Sequence, residues 1–160
     1  MSTITITLNI SEIIYDIQNK TYLTGRSAAD GSNHSHIANM QANDDDENAA
    51  QILRSVTNAY AILRNRFAEY SDTSENNGDN KSLETEDDLL LTLNMPSNFN
   101  GNVVKTISES AHQFIVATAI ADWFAITAKG ETTDYSIVAG KALAVLEEAL
   151  SKRTRPKRIR

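Results

Sequence analysis

The chain contains no cysteine among its 160 residues. This absence excludes disulfide bonds, thiolate metal sites and a cysteine nucleophile, and it is typical of a protein that folds in a reducing compartment. Stability must then come from packing, and a chain of this length folded as one domain buries roughly 70% of the surface that its unfolded form exposes. We therefore expect a single domain with a substantial hydrophobic core.

Motifs for nucleotide binding and hydrolysis are also absent. The six glycines are scattered, so that neither G-x-G-x-x-G nor a phosphate-binding loop occurs, and no G-x-S-x-G marks a nucleophilic serine. His34 and His36 precede an acidic run at 44–47, but this spacing supplies no third nitrogen ligand. No nucleophile is recognisable beside His112. The sequence predicts no enzyme, no metal site and no cofactor.

No hydrophobic run is long enough to cross a bilayer. The most apolar segment, FIVATAIADWFAITA at 114–128, has 15 residues and contains Asp122, whereas a membrane-spanning helix needs about 20. The N-terminus lacks a basic region followed by an apolar run, so we expect no signal peptide. The segment predicts a buried helix in a cytosolic protein, with Asp122 facing an interface.

Acidic and basic residues are unevenly distributed along the chain. Residues 1–150 contain all 21 acidic residues and nine of the 15 basic ones, which gives a net charge of −12, whereas the last ten residues, SKRTRPKRIR, carry +6. Such asymmetry is typical of an interaction tail. The basic tail at 151–160 is expected to bind phosphates, to dock on an acidic protein surface, or to remain a solvated end. The acidic body would repel DNA.

Two segments alternate with the period of a half-buried strand. The first, TITITLNI, lies at about 3–10, and the second, DLLLTLNM, lies at about 88–95 and is ended by Pro96. We expect the two strands to pair. The ribbon either covers the helices of its own chain or is extended by a strand of a neighbouring subunit, because an edge strand carries unpaired amides.

Four helices are predicted around these strands. Ser11 is the expected N-cap of the first, and Gly25 is expected to end it. The third, at about 101–129, is apolar nearly all round and should be the central element. The fourth runs over about 133–153, with Gly140 permitting the close approach of a neighbour.

The second helix carries the clearest pattern in the chain. It begins near the carboxylates at 44–47, which favour the positive end of a helix dipole. The polar segments at 26–43 and 71–87 are expected to be a loop or weak helix and a flexible loop, respectively. The predicted fold is α+β and predominantly helical, with about four helices and a two-stranded β element in one domain at 1–150. One apolar seam should hold this body together: Leu53, Val56, Tyr60, Leu63 and Phe67.

Three stretches carry a resemblance to known proteins: YDIQNKTYLTGRS at 15–27, ANMQANDDDENAAQILRS at 38–55 and LTLNMPSNFN at 91–100. With them the chain resembles a set of small structural proteins encoded by tailed phages and prophages of gut Bacteroidales. Its layout is similar, more distantly, to the head-to-tail connector adaptors of tailed phages, which are small helical proteins arranged as a ring beneath the portal.

This resemblance implies a structural virion protein, a ring subunit of the neck that joins the DNA-filled head to the tail and is assembled in the bacterial host cytoplasm. The implied partners are other copies of the chain, the portal or adjacent neck and tail proteins, and packaged DNA through non-specific contact, with no membrane. Two alternatives are a tail-completion or terminator ring protein, which rests on a larger sheet, and a small DNA-associated regulatory protein that uses the basic tail.

Partner contacts are expected on the two strands and on the basic tail. A deletion of the last ten residues is predicted to leave the fold intact and to impair docking. The residues predicted to bind a partner are Ile4, Ile6, Leu8, Leu91, Leu93, Lys152, Arg153, Arg155, Lys157, Arg158 and Arg160.

Overall fold

The computed structural model describes residues 2–71 and 87–159. The predicted α+β, predominantly helical class is confirmed, with five helices in these residues rather than about four. Most of the predicted flexible loop at 71–87 lies outside the described residues, as does Arg160. The elements follow the order β1 (Ser2–Asn9), α1 (Ile10–Ser27), α2 (His34–Met40), α3 (Asp46–Arg66), β2 (Asp88–Met95), α4 (Val104–Thr127) and α5 (Thr132–Leu150).

The two strands pair with each other within the chain. They are antiparallel, with Ser2 opposite Met95 and Asn9 opposite Asp88. The period-two pattern sets the buried face, because alternate residues of a strand point to opposite sides of the sheet. β1 packs on α4, which supplies the helix layer that a two-stranded ribbon needs in water. The threonines of β1 are exposed, whereas Ile4, Ile6 and Leu8 on the other face of the strand are buried or partly buried.

Both ends of α1 differ from the prediction. Its N-cap is Asn9 rather than Ser11, because the Asn9 side-chain oxygen accepts the amide of Glu12 at 3.1 Å. Gly25 lies inside the last turn instead of ending the helix. A Cβ at this position would lie 3.3 Å from Cγ2 of Ile37, so glycine lets α1 and α2 approach closely.

The helix that the sequence pattern missed is α2, within the segment 26–43. It has seven residues, too few to show an apolar repeat. Contacts from distant parts of the chain hold it in place: the indole N–H of Trp123 in α4 donates to the Met40 carbonyl at 2.7 Å, and the Thr21 hydroxyl accepts the Ala42 amide at 3.1 Å. Trp123 is buried, so its place in the core is confirmed.

The central element is α4, as predicted. It packs against the other four helices and β1, and its buried residues lie on most of its circumference. The seam of α3 packs on it, with Val56, Leu63 and Phe67 fully buried. The helix ends at Thr127, before the predicted end, and a 3₁₀ turn over Lys129–Glu131 leads into α5.

The last helix, α5, packs along α4 and ends at Leu150 rather than near residue 153. Gly140 is exposed, and a Cβ there would meet nothing within 4 Å. Among the described residues, the close approach predicted at this glycine is therefore not made. None of the helices in the described ranges has the length and apolar character needed to span a membrane.

Candidate functional site

The base of the basic tail is tied to the connection between β2 and α4. The Thr154 amide donates to the Asn98 carbonyl at 2.8 Å, and the Asn100 amide donates to the Lys152 carbonyl at 3.2 Å. These bonds flank an antiparallel β-bridge between Phe99 and Arg153. Backbone hydrogen bonds thus tie residues 152–154, at the base of the predicted tail 151–160, to the folded body.

Two of the predicted partner-binding cations interact within the chain. The Arg153 guanidinium donates to the carbonyl oxygens of Leu150 and Lys152 at 2.8 and 3.0 Å, where it balances the negative end of α5. The Lys152 ammonium lies 3.0 Å from the Glu148 carboxylate. A partner contact through these two side chains stays a prediction.

The remaining cations project from the body. We define residues 155–160 as the basic segment, of which 155–159 are described. Arg155, Lys157 and Arg158 are exposed, and Ile159 is 101% exposed. Within the described residues none of these cations forms an ion pair. Arg160, also predicted to bind a partner, lies outside the described residues.

The strand residues predicted to bind a partner have side chains that pack inside the chain. Ile6, Leu8, Leu91 and Leu93 are between 1% and 5% exposed, and Ile4 is partly buried. Their side chains are therefore occupied by the core, and contact with another chain at these positions would use the backbone of a strand edge. That contact stays a prediction.

The two outer edges of the ribbon differ. On β2, the Leu90 carbonyl accepts the Tyr60 hydroxyl at 2.5 Å, and the Asn94 amide donates to the Tyr70 carbonyl at 2.6 Å. The chain itself therefore covers part of this edge. β1 has no second neighbouring strand in the described part of the chain, so that its outer edge is the more open of the two.

A groove of about 510 Å³ lies between the end of β1, the start of α1 and the first half of α4. We call it the acidic groove, because three carboxylates, Glu12, Asp16 and Glu109, line it, and none of the described lysines and arginines does. Tyr15 also lines it and is 66% exposed. The sequence did not reveal this groove, because its lining comes from segments about 100 residues apart.

Asp16 and His112 join the two helices of the acidic groove. Asp16 Oδ2 lies 2.6 Å from His112 Nε2, and the two side chains are 39% and 21% exposed. A pair this close is a strong hydrogen bond when one partner is charged. The pair links α1 to α4 across 96 positions of sequence, which is why the histidine showed no partner in the sequence pattern.

Replacing Asp16 with alanine is expected to lower the free energy of unfolding by about 1 kcal/mol, since the bond is partly exposed to water. Urea denaturation followed by circular dichroism would measure the change. The control is Glu109→Ala on the exposed surface of α4, which is expected to change stability by less than about 0.5 kcal/mol. Equal effects of the two substitutions would contradict a role of the pair in joining the helices.

Asp122 of α4 lies beside Ser55 of α3. The residue as a whole is exposed, yet neighbouring groups shield its carboxyl from water. This partial burial raises the pKa of Asp122, and the hydrogen bond with the Ser55 side chain offsets part of the effect. The charged form is thus slightly disfavoured in the native state.

The effect of replacing Asp122 with asparagine on the stability of the fold is therefore expected to depend on pH. The native pKa lies above the unfolded value, so the stability due to protonation is complete below the ordinary value of 3.8 and is lost as the pH rises through the raised value. The neutral asparagine should give a small gain in melting temperature at neutral pH and none below about pH 3. Thermal unfolding at both pH values tests this, and a loss of equal size at both would contradict it.

The described residues thus present three surfaces to other molecules: the basic segment, the acidic groove and the outer edge of β1. His34 and His36 are exposed at the start of α2. Across the described ranges, no group of three or more histidine, aspartate or glutamate side chains is placed to hold a metal ion. Comparisons of the chain with protein-family models, with curated proteins and with solved structures find no match.

Proposed function

We propose that this chain is a non-enzymatic structural protein that assembles with other protein chains, as a ring subunit in the neck of a tailed phage between the portal and the tail. The observation that carries the proposal is the opposite charge of the exposed basic segment and of the body that holds it. Residues 1–154 carry −10, and residues 155–160 carry +4. A cationic segment on an acidic domain complements a second copy of that domain.

A contact of this kind is heterologous, because the surface that one copy contributes differs from the surface that its neighbour contributes. Repetition of such a contact gives a ring where its rotation closes on itself, and an open helical filament where it does not. The anchored residues 152–154 fix the point at which the basic segment leaves each copy, and so would help to fix that rotation. An acidic inner surface would let DNA pass through the ring, since it repels phosphates.

Exposed apolar side chains on two helices also support assembly. On α1, Tyr22 and Leu23 are 47% and 49% exposed, and on α5, Ile137 and Val145 are 51% and 45% exposed. Gly140 on the same helix is also exposed, and a Cβ there would meet nothing within 4 Å among the described residues. Apolar residues on outer helix faces contribute contact area to protein interfaces. The resemblance to tailed-phage structural proteins agrees with this use of the surface.

The proposal predicts closed rings of the full-length chain in electron micrographs of concentrated protein. Antibodies against the chain, labelled with gold, should mark the neck of the phage particle. The DNA-associated alternative predicts instead a monomer that binds duplex DNA with strong salt dependence. It further requires that this binding disappear when residues 155–160 are removed. That pair of results would replace the present proposal.

A further inference from the structure

The acidic groove has the chemistry that recognises arginine and lysine side chains. Glu12 and Glu109 supply carboxylates, and a guanidinium can bind such a carboxylate through two parallel hydrogen bonds. Asp16 adds a third carboxylate, whose Oδ2 is already paired with His112. Tyr15 supplies an exposed aromatic face at the same place, and arginine stacks on such faces. The volume of about 510 Å³ lies within the range of ligand pockets, so the groove admits a few side chains.

The basic segment has the complementary chemistry. It carries Arg155, Lys157 and Arg158 within four positions. These residues are exposed in the structure. We propose that the acidic groove of one copy receives the basic segment of a neighbouring copy. This inference rests on the proposed function in one respect, that copies of the chain associate with one another.

The segment of the same chain is the other candidate for the groove, and its anchor lies far from the β1 end of the groove. The segment leaves the body beside Asn98, beyond the end of the ribbon where Ser2 pairs with Met95. The β1 residues of the groove, 7–9, lie at the opposite end. Five residues of β1 cover about 17 Å, and the six residues of the basic segment span roughly 20 Å when fully extended. The segment would therefore have to be almost fully extended to reach the β1 end of the groove in its own chain.

The segment is expected to bind through its side chains rather than as an added strand. Pro156 has no backbone N–H to donate to the open edge of β1. The residue before a proline is held extended, and in an extended chain residues two apart share a face. Arg155 and Lys157 are thus placed to meet the carboxylates together, with Arg158 on the other side.

The absence of native cysteine allows a direct test by disulfide formation in the full-length chain. The variant carries Ser108→Cys in the groove and Ile159→Cys in the basic segment, a choice that leaves Pro156 and every charged residue in place. Because a disulfide requires Cα atoms less than about 7 Å apart, oxidation should give covalent dimers and larger multimers on non-reducing gels. Their yield should fall in 1 M salt, where the screening length is only about 3 Å.

The matched control pairs Ile159→Cys with Ser35→Cys, an exposed serine on α2. The inference expects loss of the multimers with this pair. An internal disulfide, seen as a faster-migrating monomer, would show that the segment binds its own chain and would overturn the inference. Equal yields from the two pairs would overturn it as well, because random collision would then explain them.

Failure of this contact and failure of the proposed function give different results. If the full-length chain is an oligomer by mass but the Ser108→Cys and Ile159→Cys pair gives no multimers, copies associate through another surface and only the groove assignment is wrong. If the chain is a monomer at every concentration, the proposed assembly is wrong together with the contact.

Discussion

Replacing Phe124 with alanine is expected to lower the free energy of unfolding by about 3 to 5 kcal/mol. Phe124 lies on α4, is 0% exposed, and its ring centroid lies 5.5 Å from that of Tyr135 on α5. The truncation would leave a cavity between the two helices that pack most extensively in the fold. Small domains have total stabilities of about 5 to 15 kcal/mol, so that a large share of the stability would be lost.

The matched control for this prediction is Ile126→Ala, two positions along the same helix. Ile126 is 65% exposed, and its truncation is expected to change stability by less than about 0.5 kcal/mol. Urea denaturation followed by circular dichroism measures both variants. Similar losses in the two would mean that α4 does not form the centre of the core.

Truncation after Thr154 is expected to leave the melting temperature unchanged and to weaken self-association roughly tenfold or more. The physical reason is that residues 155–159 are exposed and so contribute little to the fold, whereas the removed cations are the complement of the acidic body. Sedimentation over a range of concentrations measures the association, and thermal unfolding measures the stability. Unchanged association would exclude the basic segment from the interface.

Removal of all ten residues from 151 onwards is the informative comparison. The sequence predicts that this deletion leaves the fold intact, but the structure ties residues 152–154 to Asn98 and Asn100 and places the Arg153 guanidinium on the last carbonyls of α5. The longer deletion is therefore expected to cost about 1 to 3 kcal/mol of stability in addition. Its effect on assembly would mix two causes, which the shorter truncation separates.

Local sequence patterns predicted the elements in which the same environment repeats along the length of a strand or helix. The alternation of Ile6 and Leu8 with threonines gave β1, and the repeat through Val56, Tyr60 and Leu63 gave the buried face of α3. Both patterns arise because a regular element repeats the same environment along its length. The central place of α4 followed from its apolar residues in the same way.

The features that carry the proposed function depend on contacts between distant residues. Asp16 meets His112 only because α1 and α4 cross, and Met40 is fixed by Trp123, 83 positions away. The anchoring of the basic tail likewise joins Thr154 to Asn98. No periodicity marks such pairs. Sequence analysis could therefore predict the charge of the tail but neither its anchor nor the groove that we assign to it.

The mass of the full-length chain in solution, measured by sedimentation as its concentration is raised at low salt, tests most directly whether this protein works by associating with other protein chains. We expect a defined oligomer that forms as the concentration increases and dissociates when salt screens its charges. A single compact monomer at every concentration and salt level would contradict that view.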